Sequence, residues 1–147
     1  MNINEMISTL FSCSLPKNIE EVEFTGVYVK YDGKDAVVGG DAIPAKCRAY
    51  TLLAKGVSEG KKSFEISEKP SFKTLGAMLD MSRGGVMRAE SVKKYIQYLA
   101  AHGYNMLMLY TEDTYEVKEY PLSRLSARKI YNGRTAGYRR FCCVFRY

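Results

Sequence analysis

The sequence predicts an α/β chain: a small α+β unit followed by a strand–helix–strand module with parallel strands. Three observations lead there. An Asp-Gly pair, Asp32-Gly33, separates two β-rich runs, which is a strong hairpin signal because glycine accepts the positive φ of a tight turn. Two short apolar runs, Ala77-Met78-Leu79 and Met106 to Tyr110, bracket an amphipathic helix beginning near Glu90. Polar residues gather just past both runs, Asp80, Ser82 and Arg83 after the first and Thr111, Glu112 and Asp113 after the second. In a parallel sheet both groups reach one carboxyl-end face, where α/β folds place their ligands.

Along the chain, residues 1–23 form a weakly patterned lead-in, with Met6, Ile7, Leu10 and Phe11 suited to a short helix ending before Pro16. Residues 24–72 read as the small α/β unit. Strands are expected over Phe24–Tyr31 and Ala36–Val38, a helix from Pro44 to Lys55 with Gly56 as its stop, and a half-exposed strand at Phe64–Ile66. The Gly39-Gly40-Asp41 turn lacks the continuation of a phosphate loop.

The module that follows opens the segment 73–120. Its helix places Val92, Tyr95, Ile96, Leu99 and Ala100 on one stripe, and His102-Gly103 reads as a C-terminal turn with a left-handed cap. Its apolar runs are unbroken, which suits strands covered on both faces. Such a module leaves strand edges for something else to cover, so self-association or aggregation through unpaired edges is expected.

The net charge of +6 is unevenly spread. Residues 121–147 carry Arg124, Arg128, Lys129, Arg134, Arg139, Arg140 and Arg146 and no acid, while the first 120 residues are close to neutral. One interpretation is a non-catalytic basic protein that binds nucleic acid or an anionic surface through this tail. The favoured interpretation is that the tail does not belong to the fold upstream of it, so nucleic acid is not the expected partner. Neither a membrane span nor a secretion signal is visible, and Cys13, Cys47, Cys142 and Cys143 show no metal spacing. A cytoplasmic location with reduced thiols, no metal and no cofactor is expected.

Arg83 is the first candidate for binding, because a guanidinium fork beside Asp80 can address vicinal hydroxyls or an anion with fixed geometry. The opposing interpretation is a surface ion pair. Glu112 and Asp113 suggest paired carboxylates for glycoside hydrolysis, but neighbours on an extended segment point opposite ways. His102, the only histidine, suits a helix end better than a general base. Cys47 suits a buried small residue. An independent small α/β enzyme using Arg83 and Glu112 is a further alternative.

The segment GAMLDMSRGGVMRAESVKKYIQYLAAHGYNMLMLYTEDTYE resembles the start of the catalytic barrel of glycoside hydrolase family 20, the β-N-acetylhexosaminidases. It is most similar to bacterial members whose second barrel strand ends Tyr-Thr-Glu-Asp-Thr-Tyr. The family's first barrel strand ends in an Asp-x-Ser-Arg pattern, which Asp80 to Arg83 matches. The resemblance implies a small α/β domain followed by the first β-α-β unit of an incomplete (β/α)8 TIM barrel. It implies that Arg83 binds the 3- and 4-hydroxyls of a terminal N-acetylhexosamine, that Asp80 supports it, and that Glu112 and Asp113 line the pocket. It does not choose which of the two carboxylates touches sugar.

Family chemistry is substrate-assisted: the acetamido oxygen attacks the anomeric carbon, a glutamic acid protonates the leaving group and an aspartate orients the acetamide. That Asp-Glu pair ends the fourth barrel strand, and a barrel takes about 250 residues. No catalytic residue is therefore assigned within residues 1–147, and this chain is expected to be inactive alone. The resemblance stops near Tyr120. Back-translated with allowed codons and read one base later, residues 122–147 can give a Tyr-x-Gly-Tyr-x-Arg segment and an acid-rich amphipathic helix. Residues 121–147 are accordingly expected to be out-of-frame translation, natural or artefactual.

Overall fold

The computed structural model describes residues 2–82 and 86–110. Helix α1 (Ile3–Phe11) starts at a capping box: Asn2 Oδ1 accepts from the Glu5 N–H at 2.8 Å, and Glu5 Oε2 accepts from the Asn2 N–H at 3.2 Å. It ends at Ser12, whose φ of 49° is left-handed. Strands β1 (Asn18–Val22), β2 (Val27–Tyr31) and β3 (Asp35–Gly40), helix α2 (Ile43–Ser58) and strand β4 (Phe64–Glu68) follow. They build a four-stranded sheet in the order β1-β3-β2-β4, parallel between β1 and β3 and antiparallel elsewhere.

The expected hairpin is β2–β3. Asp32 shapes its turn by accepting the N–H groups of Lys34 and Asp35 on Oδ1 at 2.9 and 2.8 Å. Alternation sends Val27, Val29, Ala36 and Val38 to the face carrying α2, where they bury with Ala49, Leu52, Leu53 and Ile7 of α1. The helix does not stop at Gly56. It runs on to Ser58, and Gly56 is instead the place where the Phe64 ring lies on the helix: a Cβ there would meet two ring carbons at 2.3 Å. The lead-in holds a strand as well as a helix. Its β1 is a full member of the sheet.

A second, two-stranded sheet joins β5 (Gly76–Asp80) and β6 (Met106–Tyr110), with helix α3 (Ala89–Ala101) between them in sequence. The pair is parallel, Gly76 facing Met106 and Asp80 facing Tyr110. Helix α3 buries Val92, Ile96, Leu99, Ala100 and Ala101. Its end is a Schellman turn: Tyr104 N–H donates to the Leu99 carbonyl at 3.0 Å and Gly103 N–H to Ala100 at 2.9 Å, with Gly103 at φ 83°. Leu79, Leu107 and Leu109 pack against Val92, Ile96 and the buried Met81. Helix α3 also packs on α2, and its Ala101 enters the core of the first sheet.

The described residues thus form a mixed α/β structure, and no closed barrel is seen among them. Cover on both faces of β5 and β6 is not found among the described residues either. The face away from α3 is open, with Met78 66% and Met108 51% exposed. No helix among the described residues is long and apolar enough to cross a membrane.

Candidate functional site

The carboxyl ends of β5 and β6 form the candidate site. The parallel register sets Asp80 directly beside Tyr110, and the ladder continues one residue further through the Met81 N–H, which donates to the Tyr110 carbonyl at 2.7 Å. The pleat then separates neighbours. Met81 is 1% exposed and turns towards α3, whereas Asp80 is exposed and shares its face with Met78. Ser82 fixes the carboxylate by donating to Asp80 Oδ1 twice, from its N–H at 2.8 Å and its hydroxyl at 2.7 Å. An anionic oxygen held by two donors at a strand end is oriented before any ligand arrives.

Of the residues singled out in the sequence, Asp80 is therefore brought to the rim. Arg83, Glu112 and Asp113 lie outside the described residues, as does the basic run 121–147 with its out-of-frame interpretation. Ser82, which the sequence placed beside Asp80 without giving it a role, is the positioning group. Its signal was available, since Asp followed two residues later by Ser is the pattern of a side-chain-closed turn.

At the opposite end of the same sheet Asn105 acts as a clamp. Its Oδ1 accepts from the Leu75 N–H at 2.8 Å and its Nδ2 donates to the Lys73 carbonyl at 3.0 Å, tying the strap before β5 to the start of β6. Beside it opens a cleft of about 960 Å3, lined by Pro44, Arg48, Glu68, Phe72, His102 and Asn105 among others. Arg48 and Glu68 close one wall with two contacts of 3.1 Å. This cleft lies at the amino ends of β5 and β6, and a five-residue strand spans roughly 15 Å, so it is not part of the Asp80 rim.

The remaining titratable candidates are structural. His102 caps α3 with Nδ1 2.8 Å from the Tyr98 carbonyl and packs at a tilt against the Tyr98 ring, centroids 4.6 Å apart. Cys47 is 2% exposed, and burial pushes its thiol up to about 12, so no thiolate is on offer near neutrality. Tyr50 is raised by burial and by its 2.9 Å hydrogen bond to Glu21. Among the described residues no group of three or more His, Cys, Asp or Glu could hold a metal ion. Compared with models of known protein families the chain finds no match, and no curated protein matches it.

Proposed function

We propose that this chain carries the opening part of a family 20 glycoside hydrolase, a small α/β domain and the first β-α-β unit of a (β/α)8 barrel. The parent activity is removal of terminal N-acetyl-β-hexosamines with retention of configuration. One observation carries the reading: parallel β5 and β6, with α3 on one face, turn Asp80 to the other face at their carboxyl ends. A barrel strand needs that arrangement, one side towards the helix layer and the other towards the interior, with polar groups at the carboxyl rim.

In this reading Arg83, supported by Asp80, grips the 3- and 4-hydroxyls of the sugar, and Glu112 and Asp113 line the same rim. Ser82 holds Asp80 in place. Hydroxyl recognition of this kind binds and orients. Hydrolysis additionally needs an acid for the leaving group and a carboxylate that aligns the acetamide, and residues 1–147 contribute neither. The chain alone is thus a non-catalytic portion of the enzyme.

The test has two arms. The purified chain should release no 4-nitrophenol from 4-nitrophenyl N-acetyl-β-glucosaminide above a blank; clear turnover overturns the reading. The coding DNA beyond codon 120, read one base later, should continue through further strand–helix units with an Asp-Glu pair ending the fourth strand. Protein made from that joined frame should hydrolyse the substrate, and Arg83→Ala should lower its kcat/KM roughly a hundredfold or more, because a site built for hydroxyls loses its main donor. Absence of the continuation from every frame removes the proposal.

A further inference from the structure

We propose that the open face of β5 and β6 is the docking surface for a second copy of this chain. The pleat segregates the two strands sharply. Leu79, Leu107 and Leu109 go to α3, while Gly76, Met78, Asp80, Met106, Met108 and Tyr110 share the other side. Of the eight large hydrophobic side chains exposed among the described residues, four are on this face, Met78 at 66%, Met108 at 51%, Met106 at 40% and Tyr110 at 37%. Phe72 at 71% and Leu75 at 39% stand just before β5 and belong to the cleft at its amino end, not to this face.

Three features favour a copy of the chain over a charged or polar partner. Between Gly76 and Met78 and between Met106 and Tyr110 the face holds no Lys, Arg, Glu or Asp, and its one carboxylate, Asp80, sits at the end. With the strands of two copies antiparallel across a two-fold axis near Met78 and Met108, the two Asp80 carboxylates lie at opposite ends and do not confront each other. The central contact is methionine on methionine, flexible side chains that fill an imperfect gap between sheets about 10 Å apart. The area suits a small, concentration-dependent contact: the four face residues leave on the order of 400 Å2 of apolar surface, so two copies cover about 800 Å2, the low end of transient interfaces.

The face exists whether or not the chain belongs to a hydrolase, so the two proposals fail separately. The 147-residue chain is examined by size-exclusion chromatography with light scattering and by sedimentation velocity, from about 1 to 100 µM. A discrete dimer is expected. Met108→Lys and Met78→Lys should each weaken it roughly tenfold or more, with unchanged circular dichroism because both side chains are already in solvent. Tyr98→Lys, which alters an exposed aromatic on α3 away from the face, should leave it intact. Met108→Gln, which keeps the length of the side chain without a charge, should weaken it less. A monomer at every concentration overturns the proposal, and so does a dimer indifferent to both lysine substitutions. A ladder of ever larger species overturns it as well, since a self-complementary face closes at two.

Discussion

Replacing Gly56 by alanine should destabilise the chain, against the usual rule for helices. A glycine inside a helix is worth about 1 kcal/mol less than alanine, so the exchange ordinarily stabilises. Here α2 passes under the Phe64 ring, and a Cβ on residue 56 would lie 2.3 Å from Cε1 and Cζ and 3.0 Å from Cε2. The ring cannot slip away cheaply. It sits at the start of β4, paired opposite Tyr31, and packs on the Tyr31 ring at 5.6 Å. Overpacking costs about 1–3 kcal/mol, and two ring carbons at 2.3 Å belong to the upper part of that range, so after a propensity gain of about 1 kcal/mol a net loss of about 1–2 kcal/mol remains. Thermal and urea unfolding followed by circular dichroism would register it as a Tm lower by roughly 2–8 °C. Phe64→Leu in the same background should recover part of the loss, giving a coupling of opposite sign to the single effects. A Gly56→Ala variant as stable as the parent, or more so, would refute the close approach of ring and helix.

Three further outcomes follow from the same geometry. Asn105→Ala removes two hydrogen bonds to the strap at Lys73 and Leu75, so it should cost about 1–2 kcal/mol and speed amide exchange at Leu75. Asp32 is held below its ordinary 3.8 by the N–H groups of Asp35 and Lys34; its folded pKa is lowered, so its stabilisation is present above that ordinary value and is lost as pH falls through the folded one. The stability gap between the parent and Asp32→Asn should therefore be constant near neutrality and close in acid, read from urea midpoints across pH. Burial of Cys47 should leave it unlabelled by iodoacetamide at pH 8 in peptide mapping, with labelling appearing only in denaturant.

What was legible in the sequence was whatever is decided locally. The Asp32-Gly33 turn, the stripe on α3 and the cap at Gly103 each depend on residues within one turn of one another, and each is where the pattern put it. Strand β1 was not legible. Asn-Ile-Glu-Glu-Val has two apolar residues and no alternation, and it becomes a strand by parallel pairing with β3, Asn18 against Asp35, with the Asn18 amide donating to the Asp35 carboxylate at 2.8 Å. That partner is supplied from a distance, as strand context often is. Gly56 misled for a related reason. As a local signal it ends a helix, but here it makes room for a ring that arrives from the next strand.

The candidate site divides along the same line. Asp80 at the end of an apolar run could be placed by counting, because period two and a parallel partner determine which face it takes. The cover on that face could not. Met106-Leu-Met-Leu-Tyr110 is an unbroken apolar string, and such a string has the same letters whether its second side meets more of its own sheet, another copy, or water. Only the alternating exposure separates the leucines under α3 from the methionines. The methionine side is the one a barrel would enclose and the one a second copy can cover, so enclosure and dimerisation compete for the same atoms. Extending the chain by the strand–helix units of the proposed joined frame should abolish the dimer while leaving α3 and its leucines unchanged. A dimer that survived such an extension would place the contact elsewhere on the surface.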